Sequence, residues 1–295
     1  MASLKALTLT SVAVLALTRL ATAADLLPPA PELPPPIAPA EFSGWYLRGD
    51  VGISENFSKP SVSISPDPVA AGLASGFLAP GADNTFLNPT ISQSALFDAG
   101  VGYQVNNWFR ADVTGELRGG GEFQSLKVLN DLGNNRQFAD FYRANTSSAI
   151  GLVNAYADLG TWYGITPFVG AGVGVAYNRL SGLTDTGLST QGRHGVFPTG
   201  GYASDHGATN FAWALMAGLD FNVTQNLKLE LGYRYLNYGG FTSGAINCLD
   251  GGGCNCTPST ISTKTLASND VRIGLRWMIG DNFAPPPPEP LVRKY

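Results

Sequence analysis

The chain of 295 residues holds 18 basic and 22 acidic side chains, a formal charge of −4, and only 14% of its residues are charged, against about 25% in a typical soluble domain. With no basic excess to meet phosphates it is not a nucleic-acid binder, and with so little charge it is not a disordered acidic chain. Its 36 glycines and 20 prolines lack collagen's every-third spacing, which leaves a stiff, all-β protein, in water or in a membrane.

Residues 1–23 read as a secretory signal peptide. Lys5 supplies a positive start, residues 6–17 are apolar, and Ala21-Thr22-Ala23 is a small-x-small cleavage site. The apolar run is too short to span a membrane as a helix, and no later run reaches about 18 apolar residues. Residues 24–41 are dense in proline and predict an extended periplasmic linker, and a second proline-rich piece, residues 284–295, forms a tail. The folded part is expected between them, at residues 42–283.

Eight segments there alternate apolar and polar residues with the period of two that a strand imposes. The first sets Trp45, Leu47, Val51 and Ile53 against Tyr46, Arg48, Asp50 and Ser54. The second sets Phe97, Val101 and Tyr103 against Asp98 and Gln104. The third sets Phe109, Val113 and Leu117 against Arg110, Asp112, Glu116 and Arg118. The fourth, about residues 147–159, is less regular, since Asn154, Tyr156 and Asp158 share their face with Ile150 and Leu152. In the fifth, Val169, Val173, Val175 and Tyr177 oppose Gly170, Gly172, Gly174 and Asn178. The sixth puts Phe211, Trp213, Leu215 and Leu219 opposite Asp220. The seventh sets Leu229, Leu231, Tyr233 and Tyr235 against Lys228, Glu230 and Arg234. The eighth sets Val271, Ile273, Leu275, Trp277 and Ile279 against Asp270, Arg272 and Arg276.

Every charge in these segments falls on a polar face. A lipid-facing Arg or Lys at mid-membrane costs about 2–4 kcal/mol. Seven of them facing outward would cost roughly 15–25 kcal/mol, more than a typical folding stability of about 5–15 kcal/mol. The charged face is therefore expected inside and the apolar face outside. This inverts the pattern of a soluble ligand-binding barrel, which is wet outside. The predicted fold is all-β: a single eight-stranded antiparallel up-and-down transmembrane barrel.

Gaps of two lengths alternate along the chain. Long outer loops are expected at residues 55–92, 119–146, 179–208 and 239–264, and short periplasmic turns at 106–107, 160–164 and 224–226. An even strand count then leaves both termini periplasmic. Trp45, Trp108, Trp162 and Trp277 fall at the short-turn end, and Trp213, Tyr177, Tyr235 and Tyr238 near the other rim, as two interfacial girdles would require.

Several stretches resemble the outer-membrane β-barrel family of alphaproteobacteria, porin-like surface antigens related to the OmpA-type transmembrane domain. They are residues 154–160 (NAYADLG), 166–174 (TPFVGAGVG), Ala212-Trp213, Tyr233-Arg234-Tyr235 and residues 271–276 (VRIGLR). Arg272, Gly274, Trp277 and Ile279 are also similar to the signal read by the barrel assembly machinery. The resemblance implies a Gram-negative outer-membrane protein that meets host, phage, haem or other cells at its loops. A narrow pore for small solutes or ions is the alternative.

No enzyme activity, cofactor or metal site is predicted. Residues 170–174 lack the spacing of a nucleotide loop and continue as a strand. His194 and His206 read as loop residues beside Asp205. Cys248, Cys254 and Cys256 cluster in the last long loop, and an oxidising location favours a disulfide of Cys248 with Cys254 or Cys256. The lumen carries the dense constellation: Arg48, Asp50, Asp98, Arg110, Asp112, Glu116, Arg118, Asp158, Asp220, Lys228, Glu230, Arg234, Asp270, Arg272 and Arg276. Mixed signs on adjacent strands predict a neutralising network inside a barrel that side chains can fill, with Glu116 and Arg118 as its leading pair.

Overall fold

The structure is a computed structural model that describes residues 43–56, 59–191, 195–249 and 258–279. The expected signal peptide, linker and tail, with His194, Cys254 and Cys256, lie outside those residues. In chain order the elements are β1 (Gly44–Glu55), β2 (Val62–Ser65), α1 (Pro68–Ala74), β3 (Asp83–Ile91), β4 (Ser94–Gln104), β5 (Phe109–Asp131) and β6 (Arg136–Asp158). They continue as β7 (Ile165–Gln191), β8 (Val196–Ala203), β9 (His206–Asn222), β10 (Leu227–Gly239), β11 (Ile246–Cys248), β12 (Thr260–Thr263) and β13 (Leu266–Ile279).

Eight of these strands close into an antiparallel ring in the order β1–β4–β5–β6–β7–β9–β10–β13. The seam joins β13 back to β1, from Trp45 opposite Ile279 to Glu55 opposite Asn269. Closure leaves no strand edge in the ring. The alternation read from the sequence places Tyr46, Arg48, Asp50 and Ser54 inside, buried, and Trp45 (58% exposed) and Ile53 outside. The same holds around the ring, where Phe97, Leu117, Val173, Phe211 (66% exposed) and Val271 form an apolar outer wall. In water that wall would be a large exposed apolar surface, and a lipid environment removes the penalty.

The short turns have local causes. Asn106 Oδ1 accepts the Trp108 and Phe109 amides at 3.0 and 2.8 Å, and Thr224 Oγ1 accepts those of Asn226 and Leu227. Such side chains stand in for the ladder where the chain reverses.

The other end of the barrel departs from expectation. Residues 119–146 and 179–208 are largely strand, not loop: β5 and β6 run 23 residues each and β7 runs 27. The sequence reading stopped at residue 118 because the phase reverses there. The register shift between Arg118 and Gly121 inserts one extra residue in β5, with Gly120 at φ +82°. Even-numbered residues of β5 point inward below this bulge, and Phe123, Ser125, Lys127 and Leu129 are the buried ones above it. A matching shift near Gly182 (φ +60°) does the same in β7.

Above the ring the same sheet continues as an open piece in the order β3–β5–β6–β7–β8–β11. The expected first and last long loops are also structured. They contribute α1, β3 and β11, and they pair with each other through β2 and β12.

Candidate functional site

The barrel interior is the chemically dense part of the molecule. Fourteen of the predicted lumen residues are buried and Lys228 is half-buried. The charges come mostly from the wall β10–β13–β1–β4–β5. The facing wall, β6, β7 and β9, contributes Ile150, Leu152, Phe168, Ala176, Ala214 and Met216 to the inside. Ile150 and Leu152, irregular in the sequence pattern, point inward with Asn154 and Tyr156 because this side of the lumen is apolar.

Nearer the short turns, Arg48 is the hub. Its guanidinium donates to Asp50 at 3.0 Å, to Asp112 at 3.0 Å, to Glu230 at 2.8 Å and to the Tyr156 hydroxyl at 2.8 Å. Arg110 donates to Asp158 at 3.1 Å and lies over the rings of Tyr156 and Phe168, 4.2 and 4.7 Å from their centroids. Arg276 pairs with Asp220, and Tyr46 donates to Asp112 at 3.0 Å.

A second cluster sits toward the other end. Arg118 pairs with Glu116 and with Asp270 at 2.6 Å, and donates to Ser54 and Ser268 at 2.9 and 2.8 Å. Arg234 shares Glu116 and Asp270, the latter at 2.7 Å, and Arg272 pairs with Asp98 at 3.2 Å. Three cations thus meet three anions. Burying each of these ions alone would cost several kcal/mol, so this upper cluster holds together as a balanced set.

Small residues make room for them. A Cβ on Gly274 would lie 1.9 Å from Asp50 Oδ1, and one on Gly170 would lie 2.5 Å from the Tyr156 ring. Residues 170–174 therefore serve as thin wall rather than as a nucleotide loop.

The mouth above the second cluster is closed by the segment after β10. Tyr238, expected on the outer rim, is buried instead: it donates to Asn56 Oδ1 at 2.8 Å, and Arg118 lies over its ring. Asn178 donates to the carbonyls of Tyr238 and Gly240 at 2.8 and 2.9 Å, and Asn210 donates to Gly240 at 2.9 Å. Phe241 is driven down onto Phe123, ring centroids 5.1 Å apart. Backbone bonds from Ser243 to Ile261 and from Thr263 to Phe241 tie the segment to the strand returning to β13. A cavity of about 20 Å³ remains beside Arg118, Ser148, Asn178 and Phe241, room for about one water. The alternation puts Asn178 and Asn210 on the inward face but does not reveal their bonds to this segment, and it misses Phe123 and Phe241. Phe241 carries no alternation signal, since it lies beyond the strand that precedes it.

The remaining candidates lie elsewhere. His206 opens β9 as an exposed strand residue opposite Leu180, not in a loop. Cys248 is disulfide-bonded. Among the described residues no three His, Cys, Asp or Glu side chains are grouped to hold a metal ion. Beside His206, the Gly182 N–H and the Arg179 guanidinium donate to Asp205 at 3.0 and 2.7 Å and hold its carboxyl below the usual range.

The family model described as the outer membrane protein beta-barrel domain matches residues 10–277. An uncharacterized protein of Brucella abortus (strain 2308) is 35% identical over 236 residues, covering 75% of this chain and 76% of its own. A candidate adhesin of Rickettsia bellii is 26% identical over 204 residues, 69% of this chain and 76% of its own. Among solved structures, neisserial surface protein A superposes with a TM-score of 0.42 at 15% identity, over 81% of this chain and 100% of that one.

Proposed function

The chain belongs to the outer membrane β-barrel family, and on that premise we propose that it works as a surface-interaction protein of the Gram-negative outer membrane. The ring anchors it, and the sheet and loops above the ring meet ligands outside the cell. The observation that carries this reading is the filled interior. Arg48, Arg110, Arg118, Arg234, Arg272 and Arg276 are buried in ion pairs, and Phe241 and Tyr238 stop the mouth above them. A wall of eight strands encloses a space that side chains can fill, so the chain invests in what it displays rather than in a path through it. The similarity to a candidate rickettsial adhesin supports the same reading.

The finer assignments belong to this proposal. Both termini are periplasmic, on the side of the short turns. Arg272 inside and Trp277 and Ile279 outside give the last strand the face that the barrel assembly machinery reads, with Gly274 between. Outer-membrane lipid covers the apolar wall.

Two measurements test the proposal. Purified protein in planar bilayers is expected to show no large, stable openings; such openings would favour a solute or ion channel. Display on a non-adherent Gram-negative host is expected to confer attachment to cells or extracellular matrix. Attachment unchanged by display would overturn the surface-interaction reading.

A further inference from the structure

The sheet above the ring has two unlike faces. One is covered: Phe123, Ser125, Leu129, Tyr142, Leu183 and Ala203 are buried under the first and last loops. The other is open. Its cross-strand rows follow from the register. One row runs Leu87, Leu126, Phe141, Thr186, Gly200, and the next runs Thr85, Val128, Ala139, Leu188, Pro198. Neither row holds a charge. Leu87, Phe141 and Leu188 are 41%, 40% and 55% exposed. The rows on either side are polar on four of their five strands, with Thr90, Gln124, Arg143 and Thr184 below and Asp83, Asn130, Gln137 and Thr190 above, and end at β8 in the exposed Tyr202 and Val196. An apolar centre inside a polar margin is the anatomy of a protein contact.

Lipid does not account for this face. A polar belt of Glu122, Arg143, Asn145, Ser147 and Arg179 lies on the same outward side between it and the apolar wall of the ring, with Arg143 paired to Glu122 and Arg179 to Asp205. Strand addition does not account for it either. Both open flanks carry a proline, Pro89 in β3 and Pro198 in the part of β8 that β11 does not pair with, which removes a ladder donor and blunts the edge.

We propose that this face is the contact between two copies of the chain standing side by side in one membrane. Five strands spaced about 4.8 Å apart and four rows about 6.8 Å apart give a face of roughly 650 Å² in projection. Two copies would bury roughly 1,300 Å², within the class of stable specific interfaces. A two-fold axis along the membrane normal brings each uncharged row against its own copy with no like charges opposed at the centre. This goes beyond the surface-interaction reading and stands without it, because the partner is a second copy.

The test is cross-linking in native outer membranes with the full chain. A photoreactive side chain placed at Leu188 or Phe141 is expected to give a covalent band of twice the chain mass. One at Leu275, lipid-facing on the far wall of the ring, is expected to give none. Joint Leu188→Lys and Phe141→Lys changes, probed from Leu126, are expected to reduce the dimer band at least tenfold, with Leu188→Met leaving it intact. Heat-modifiable gel migration confirms that each variant has a closed ring. Monomer from both reporter positions, adducts to a different protein, equal dimer yield from Leu275, or a dimer indifferent to the lysines would overturn the proposal.

Discussion

Removing the Arg118 guanidinium while keeping the side chain's bulk tests whether the upper charge cluster is a balanced set. Arg118, Arg234 and Arg272 stand there against Glu116, Asp270 and Asp98. Arg118→Met leaves two cations for three buried anions. Glu116 and Asp270 keep Arg234, but Ser54 and Ser268 lose their donor. Breaking one partner of a buried pair costs about 3–5 kcal/mol. Arg234 remains in contact with both acids, so the expected loss is near the lower end, about 3 kcal/mol, or roughly a hundredfold in the folding equilibrium. Adding Glu116→Gln restores the count to two against two, with Arg234 on Asp270 and Arg272 on Asp98. The double variant is expected to lie within about 1 kcal/mol of the parent, because replacing both partners leaves no uncompensated charge. Urea unfolding of protein folded into lipid vesicles, followed by tryptophan emission and gel migration, measures both. A single variant as stable as the parent, or losses that simply add in the double, would refute the balanced-set reasoning.

Other perturbations follow from neighbouring features. Phe241→Ala removes a ring packed on Phe123 and is expected to cost about 3–5 kcal/mol, yet to leave bilayer conductance absent because the ion pairs beneath it remain; large openings would show that the mouth segment alone blocks the lumen. Gly274→Ala drives a methyl into Asp50, itself held by Arg48, and is expected to lower the yield of heat-modifiable barrel, whereas Gly115→Ala, whose methyl would meet no atom within 4 Å, is not. Asp205, with its carboxyl pKa depressed, contributes stability that is present above the ordinary aspartate range and is lost as the pH falls through its lowered value. The protection factor of the Gly182 amide, its exchange rate compared with the intrinsic rate at the same pH, is expected to fall on that acidification and to be low at every pH in Asp205→Ala; protection that ignores the substitution would sink this reading.

The ring was legible in the sequence because lipid on one side and ionised groups on the other force a strict alternation. Arg110 and Glu116 could face only one way, and the structure places both inside. Legibility failed where the phase slipped. At Gly119 and Gly120 a single inserted residue exchanges the two faces, so a reading of period two ends there although the strand continues to Asp131. Ile150 and Leu152 looked like noise because polarity inside the barrel varies around its circumference, and no one strand reveals that. Tyr238 was assigned to the outer girdle by its position near a strand end, while its fate was decided by Asn56 and Arg118, distant in the chain. The mouth was invisible for a related reason: Asn178 on β7, Asn210 on β9 and the segment after β10 meet at Gly240 only once those three neighbours have paired, and Phe241 finds Phe123 across the barrel.

The seam between β1 and β13 has a bearing on how the molecule comes to exist. Neighbouring hairpins can zip locally, but the last bond line of the cylinder awaits the final strand, and pairings so remote in sequence form slowly. Until Ile279 finds Trp45, the growing curl offers one sticky border at each flank, competent to catch any passing strand. A chain cut short before residue 266 is therefore not a smaller barrel but an open ribbon, and its fate is aggregation or degradation.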